Sequence, residues 1–549
     1  MGVDISIAAI APELVLTGAA LVLLLVAITK GRPQLVMLPV GLATIGLGAW
    51  VVVGGDVVTG TVLAVLGAAA PLLPVLLPGR ATLVQAWGAG LALAAALVLT
   101  VADLGTVLSG DGLPLAVSSA FSGSLAVDGL QLFTRLTVFL SALLVVPLGY
   151  GYLQERRINR AEVESLILLS AVGMSVLGSA NDLVTAFVAL EVLSFALYVL
   201  AGLARRDRRS QEAGLKYFVT GAVASAVLLY GLALLYVATG TLSIPGIGAT
   251  LTSVLVPRAV AMAGLILVLV GVAFKVALVP FHFWTPDVYQ GSPTSITAFM
   301  AAATKAAAFA LLLRLSVVAF SGLRSWWVPA VCVVAAATML YGAFAALAQH
   351  DLKRILAYSS ITHAGYATIG VLTLTRQGLS ATMLYLLTYA VGTIAAFGIV
   401  IAAERRRRGE VTLANLRGLG RTSPLLAGIL SLALLSLAGL PLTAGFIGKL
   451  EVFRAGVDAG LTWLVLIGVL SSLVAAFFYL RIAGIMFLEE PAGDAAGVTE
   501  GEGVAEERLP ILSTGLSFAV AIAAALVVVL GVQPQLLIEL AGTAGTLLR

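Results

Sequence analysis

The sequence predicts an all-α, polytopic membrane protein, and three observations carry that prediction. Of 549 residues, 60% are hydrophobic and only 11% charged, against about 25% charged in ordinary soluble domains. The mean hydropathy is +1.09, and so much apolar surface has no water-excluding core large enough to hold it. Apolar runs such as 259–281 and 423–448 do not alternate, as barrel strands would. A backbone in lipid must satisfy its own polar groups, which leaves helices.

Taken in order, apolar runs between polar breaks predict about 16 spans. They are 8–29, 35–54, 58–78, 83–103, 130–150, 163–179, 182–203, 214–238, 259–282, 292–318, 328–349, 353–373, 379–403, 423–455, 461–488 and 510–531. The first run has no basic segment and no A-x-A site ahead of a mature domain, so it reads as a retained span. The third is crowded by Pro71, Pro74 and Pro78. A Gly/Ser-rich outer loop (104–129) closes an N-terminal part, 1–129. A core follows over 130–488, then an acidic linker at 489–509 and a C-terminal helix within 510–549.

Basic residues fall unevenly on alternate loops. One set of loops carries 19, from Lys30 and Arg32 through Arg205, Arg206, Arg208 and Arg209 to Arg405–Arg408 and Arg508; the other carries 5. The positive-inside rule puts the richer set in the cytoplasm and both termini outside. Cys332 is the single cysteine and sits in an apolar run. One thiol cannot supply an iron–sulfur cluster or a Cys zinc site. No loop could house a soluble catalytic domain, and no Gly-rich βαβ fingerprint for NADH or flavin appears. No cofactor, metal or nucleic acid is therefore expected in this chain.

Seven basic residues remain inside the spans: Lys216, Lys275, Lys305, Lys449, Arg135, Arg314 and Arg481. Four of the chain's six lysines are among them, while the loops are nearly all arginine. Arginine stays protonated, whereas a desolvated lysine releases its proton more readily. A proton relay needs the second kind. Arg135, Arg314 and Arg481 lie toward span ends, where snorkelling is the default reading. Lys216, near the cytoplasmic end of its span, reads equally as a snorkelling side chain or a relay member. A charge at mid-membrane costs at least about 3 kcal/mol and marks a functional site by default, which singles out Lys275, Lys305 and Lys449. Glu191, nine residues after Asp182, lies about 13 Å deep and is the expected counter-ion of an intramembrane lysine.

Two spans are expected to break near a lysine. Pro280, His282, Pro286 and Pro293 follow Lys275; Pro441, Gly445 and Gly448 precede Lys449. If 163–318 and 328–488 are two five-helix units, the broken helix is the fourth of each. An odd number of crossings inverts one unit relative to the other, the pattern of inverted-repeat transporters with midplane sites. His282 and His363 could extend a relay, since histidine titrates near neutral pH. Each reads equally as a buried, hydrogen-bonded histidine with no transfer role.

The stretches ALEVLSFALYVL (189–200), EAGLKYFVTGAVASAVLLYGLALLYVATGTL (212–242) and GVAFKVALVPFHFWTPDVYQGSPT (271–294) carry a resemblance, with DLKRILAYSSITHAGY (351–366) and LSLAGLPLTAGFIGKLEVF (435–453). Across roughly 130–490 the chain resembles the antiporter-like membrane subunits of respiratory complex I, which are related to Mrp-type sodium/proton antiporters. Within that family it looks most like the subunit N branch. The resemblance implies a proton-translocating part of a type I NADH–quinone oxidoreductase in a bacterial cell membrane. Its partners would be other membrane-arm subunits and the lipid bilayer, with protons as cargo. FMN, iron–sulfur clusters and quinone would be used by other subunits. The resemblance pairs Glu191 with Lys275 and aligns Lys216, Lys305 and Lys449 with the family's proton path. Lys449 separates this branch from the subunit M branch, which carries glutamate there. The family core has fourteen helices, so the count here implies either a two-span N-terminal extension or an over-split reading of 35–103. A cation/proton antiporter subunit of the Mrp type is the alternative reading.

Overall fold

A computed structural model describes residues 8–28, 44–45, 61–66, 68–69, 81–109, 118–158, 162–253, 256–407, 411–490 and 512–545. Most of the expected spans 35–54 and 58–78 and nearly all of the acidic linker lie outside the described residues. The helices are α1 Ala11–Ile28, α2 Ala81–Ser109, α3 Gly129–Glu155, α4 Val163–Ser179, α5 Leu183–Ala201 and α6 Arg208–Thr239. Next come the short α7 Ile244–Leu251, then α8 Arg258–Val276, α9 Trp284–Gly291 and α10 Thr294–Ala319. The rest are α11 Arg324–Leu347, α12 Leu352–Leu372, α13 Arg376–Arg407, α14 Pro424–Ala438, α15 Ala444–Asp458, α16 Thr462–Leu488, α17 Thr514–Val532 and α18 Gln535–Ala544. Among the described residues, ten helices are long and apolar enough to cross a membrane unaided. The protein is a polytopic bundle of the expected all-α class.

Aspartates and serines start the helices because their oxygens accept the orphan first-turn N–H groups. Asp128 accepts from the Gln131 amide at 3.0 Å, Asp182 from Val184 and Thr185 at 2.9 Å, and Asp351 from Arg354 at 2.8 Å. One departure from an all-helical reading is a hairpin, β1 Ser118–Ala120 with β2 Leu125–Val127, inside the loop expected at 104–129. It closes over the end of α4, where the Asn181 side chain donates to the Gly123 carbonyl at 2.9 Å.

Two helices break where proline and glycine predicted it. The first runs on past residue 282 through α9, so the span read as 259–282 is the first half of a longer discontinuous helix. α8 ends at Ala277 (φ 64°) and α14 at Gly439 (φ 85°), both left-handed. Leaving aside the short α7 and counting α8/α9 and α14/α15 as one helix each, they stand fourth in the successions α4–α10 and α11–α16.

Burial sorts the bundle into layers. Every residue of α10 from Thr294 to Ser316 is buried, as are 381–402 of α13 and 359–373 of α12. α6 and α16 instead expose large apolar side chains such as Leu215, Val223, Leu473 and Phe477, which suits lipid or a partner subunit. The most enclosed helices are also the ones carrying polar side chains.

Candidate functional site

Lys275 sits in the last turn of α8, just before the break. The loop beyond it is stitched rather than loose. The Val279 amide donates to Thr338 Oγ1 of α11 at 2.9 Å, and the Trp284 indole to the Phe274 carbonyl at 2.9 Å. The Lys275 ammonium donates to Ser194 Oγ of α5 at 2.7 Å. Its other neighbours are ring faces, with centroids of Tyr198, Tyr217 and Phe274 at 5.4, 5.5 and 5.9 Å, an arrangement that stabilises a cation. Tyr217 is fixed by Trp284, stacked at 4.7 Å and 13°.

The expected Glu191–Lys275 ion pair is not formed. Ser194 lies one turn beyond Glu191 on the same face of α5 and takes the ammonium instead. Oε1 of Glu191 is buried without a hydrogen-bond partner among the described residues. The two charges nevertheless remain within electrostatic reach.

Lys216 is not enclosed as the other three lysines are. Its side chain is 43% exposed and pairs with Glu212 one turn back and with Asp287 of α9 at 2.7 Å. Asp287 also takes Arg354 of α12 at 2.8 Å, so it joins both five-helix successions at the mouth of the first break. Asp287 was missed in the sequence. Its signal was a carboxylate in the half-helix after Pro286, exactly where two basic residues of other helices end within reach.

Lys305 follows a π-helical turn, Met300–Thr304, of the kind found at functional sites. Its ammonium donates to the Ser360 carbonyl of α12 and lies 5.9 Å from the Tyr389 ring centroid. One turn beyond Ser360, His363 is enclosed. Nδ1 meets the Tyr385 hydroxyl, Nε2 lies 3.3 Å from the Tyr479 hydroxyl, and Tyr479 in turn meets Ser359. His363 lies within electrostatic reach of both Lys305 and Lys449.

Lys449, in α15, reaches back across the second break. It donates to the Ala438 carbonyl at 2.7 Å, to the Leu437 carbonyl at 3.4 Å and to Ser472 Oγ of α16 at 2.8 Å. Tyr366 presents its ring at 4.9 Å. A cation suits the carbonyl end of a helix. Gly439 is required twice: by its left-handed φ, and because a Cβ there would stand 3.0 Å from the Lys449 Nζ. A Cβ on Gly445 would lie 1.9 Å from the Ser436 carbonyl, so the half-helices meet only with glycine there.

His282 lies in the first break with its ring edge against Tyr341, centroids 4.6 Å apart. Among the described residues its Nδ1 has no hydrogen-bond partner, and the structure does not bring it into hydrogen-bond contact with Lys275. Two arginines read as snorkelling are instead buried. Arg135 pairs with Glu13 through two 2.7 Å bonds and donates to the Ala9 carbonyl. Arg314 pairs with Asp128 at 2.7 and 3.0 Å and donates to the Gly178 carbonyl at 3.0 Å. A carboxylate and a carbonyl in the right place make burial of a guanidinium tolerable. Arg481 is exposed, as expected. Among the described residues no cluster of three His, Cys, Asp or Glu side chains could hold a metal ion.

The family model described as NADH:quinone oxidoreductase/Mrp antiporter, transmembrane, matches residues 180–475, more than half of the chain. The chain belongs to this family. Within the NADH:quinone oxidoreductase/Mrp family, a relative from Rhodococcus opacus (strain B4) is named NADH-quinone oxidoreductase subunit N. It is 46% identical over 440 residues, covering 79% of each chain. A chain of respiratory complex I from Thermus thermophilus with bound aureothin aligns with TM-score 0.67 and 36% identity, over 88% of this chain and 99% of that one. A chain of the Mrp complex from Dietzia sp. DQ12-45-1b aligns with TM-score 0.73 and 26% identity, over 87% and 95%. The fold is thus common to both branches of the family, while identity is higher toward subunit N.

Proposed function

We propose that the chain is a proton-translocating membrane-arm subunit of a type I NADH–quinone oxidoreductase. NADH, flavin and quinone chemistry would belong to other subunits. The observation that carries this reading is the row of enclosed lysines, Lys275, Lys305 and Lys449. Each is held by hydroxyls, carbonyls or ring faces rather than by a carboxylate. An ammonium so held is not tied to its proton by an opposite charge. In the first unit the change of partner is short. Lys275 leaves Ser194 for Glu191 one turn away, which holds it charged, and returns to let the proton go. Lys305, His363 and Lys449 continue the line through a shell of tyrosines. The two five-helix units are read as inverted repeats, residues 163–318 and 328–488, each with its lysine at a broken helix. The basic loops, richer on one side by 19 to 5, orient that side to the cytoplasm and both termini outward.

The test is proton pumping by the assembled complex in sealed vesicles. Lys275→Ala or Glu191→Ala should lower protons moved per NADH while the complex still assembles and oxidises NADH. Unchanged stoichiometry in both variants would sink the reading. The antiporter alternative keeps one observation in its favour, the Mrp-complex superposition. Co-purification with NADH-oxidising, iron–sulfur subunits decides between them, since an antiporter subunit has no reason to bring those along.

A further inference from the structure

A second buried charge cluster lies at the cytoplasmic end of α13, away from the lysine row. Glu404 is almost wholly enclosed, with 4% of its side chain exposed. Oε1 accepts from Thr294 Oγ1 of α10 at 2.7 Å. Oε2 faces Arg156, at the end of α3, at 3.5 Å. Lys353 of α12 stands 4.0 Å from Oε1 and spends its short hydrogen bond, 2.7 Å, on the Ser292 carbonyl. The other titratable groups facing the cluster are Asp351, which caps α12, and Tyr152 of α3, whose hydroxyl accepts from the Thr294 amide at 3.3 Å; Asp207 lies within electrostatic reach of Lys353. A carboxylate with two cations and a hydroxyl is more than a staple needs.

Geometry gives it a direction. Arg156 is 38% exposed and forms the cluster's face toward water. Thr294, whose hydroxyl donates to Glu404, begins the buried helix that carries Lys305 eleven residues on, about 16 Å along the axis. Polar groups mark that distance. Thr297 donates to the Tyr289 carbonyl at 3.0 Å, the Tyr289 phenol lies beside Ser360, and the Ser360 carbonyl takes the Lys305 ammonium. Among the described residues the hydroxyls of Ser292, Ser295 and Thr304 are buried with no hydrogen-bond partner, the setting in which ordered water completes hydrogen bonding.

We infer that Glu404 is the cytoplasmic intake group that loads Lys305, with Arg156 as its movable cover and Thr294 as its first inward contact. Glu404 takes one proton from cytoplasmic water and yields one inward. Each hydroxyl or water along α10 gives up one proton as it receives one, and the Lys305 amine ends as an ammonium. Only O–H and N–H bonds change, and one proton is moved. This rests on the proton-translocation reading above and on the orientation set by the basic loops.

The test compares Glu404→Gln, Thr294→Val and Lys305→Ala in the assembled complex in sealed vesicles. Glu404→Gln is expected to lower protons per NADH to the level of Lys305→Ala, and the double variant should fall no further. Thr294→Val keeps Glu404, Arg156 and Lys353 together and removes only the inward hydroxyl, so it should lower pumping to the same level without loss of assembly. It also decides the matter if Glu404→Gln fails to assemble. Wild-type pumping by Thr294→Val, or additive losses in the double variant, beside a low Lys305→Ala would overturn the intake role alone. Wild-type pumping by Lys305→Ala would overturn the translocation reading beneath it.

Discussion

Two buried arginines and the three lysines of the row are held in different ways, and the difference separates what suits a fixed joint from what suits proton exchange. Arg135 and Arg314 are each locked by a carboxylate through two hydrogen bonds and by a backbone carbonyl. Lys275, Lys305 and Lys449 have no acid within ion-pair distance among the described residues. They rest on Ser194, on the Ser360 carbonyl, and on the Ala438 carbonyl with Ser472. A guanidinium presents a rigid fork that matches a carboxylate and keeps its charge, whereas an ammonium is a compact charge on a flexible stem. The arginines therefore suit fixed joints between distant helices: Arg135 ties α3 to α1, and Arg314 ties α10 to the entry of α3. The lysines sit where partners can be exchanged.

The largest effect should come from breaking a joint. Arg314→Ala leaves Asp128 buried without its charge partner, a loss of about 3–5 kcal/mol for a buried pair. Because Asp128 also caps α3, the expected outcome is failure to assemble, read as loss of the intact complex on a native gel. Normal assembly and thermal stability would mean the pair contributes little. Next in size is Lys305→Arg, which puts the fixed kind of cation in the place of the exchangeable kind. Assembly should persist while pumping is lost. Wild-type stoichiometry in that variant would show that the position needs a charge and not a releasable proton.

Much of this contrast was legible in the sequence, but not all of it. The uneven use of Lys and Arg, and the prolines and glycines around Lys275 and Lys449, located the enclosed lysines and both breaks, because helix interruption is a local property of the chain. The roles of Arg135 and Arg314 were not legible. Their partners, Glu13 and Asp128, are 122 and 186 residues away, and nothing local distinguishes a buried arginine near a span end from a snorkelling one. Lys216 was read equally as a snorkelling side chain or a relay member, and its pairing with Glu212 and Asp287 depends on packing that the sequence does not show. Glu191 was found, but the ammonium it was expected to hold rests on Ser194 instead. Periodicity shows that Glu191 and Ser194 share a face of α5, and only packing decides which of them the ammonium meets. Glu404 was hidden by the arginine run after it, which reads as an ordinary cytoplasmic anchor.

Ser194→Ala is the mildest change and probes the exchange itself. A hydrogen bond to a charged group contributes about 1.5–3 kcal/mol, so removing the hydroxyl should shift the balance between the two positions of Lys275 by about tenfold or more. The aromatic faces of Tyr198 and Tyr217 remain, and Glu191 is the carboxylate within electrostatic reach. The ammonium should move onto that carboxylate, and the direction of the effect follows from it. A lysine held by a carboxylate gives up its proton more slowly, so pumping should slow while assembly and NADH oxidation are kept. A structure of the variant complex would show the Lys275 Nζ beside Glu191. If the Nζ stayed among the rings and pumping kept its wild-type rate, Ser194 would be an incidental contact, and the first unit's lysine would have to be switched by something other than its neighbour on α5.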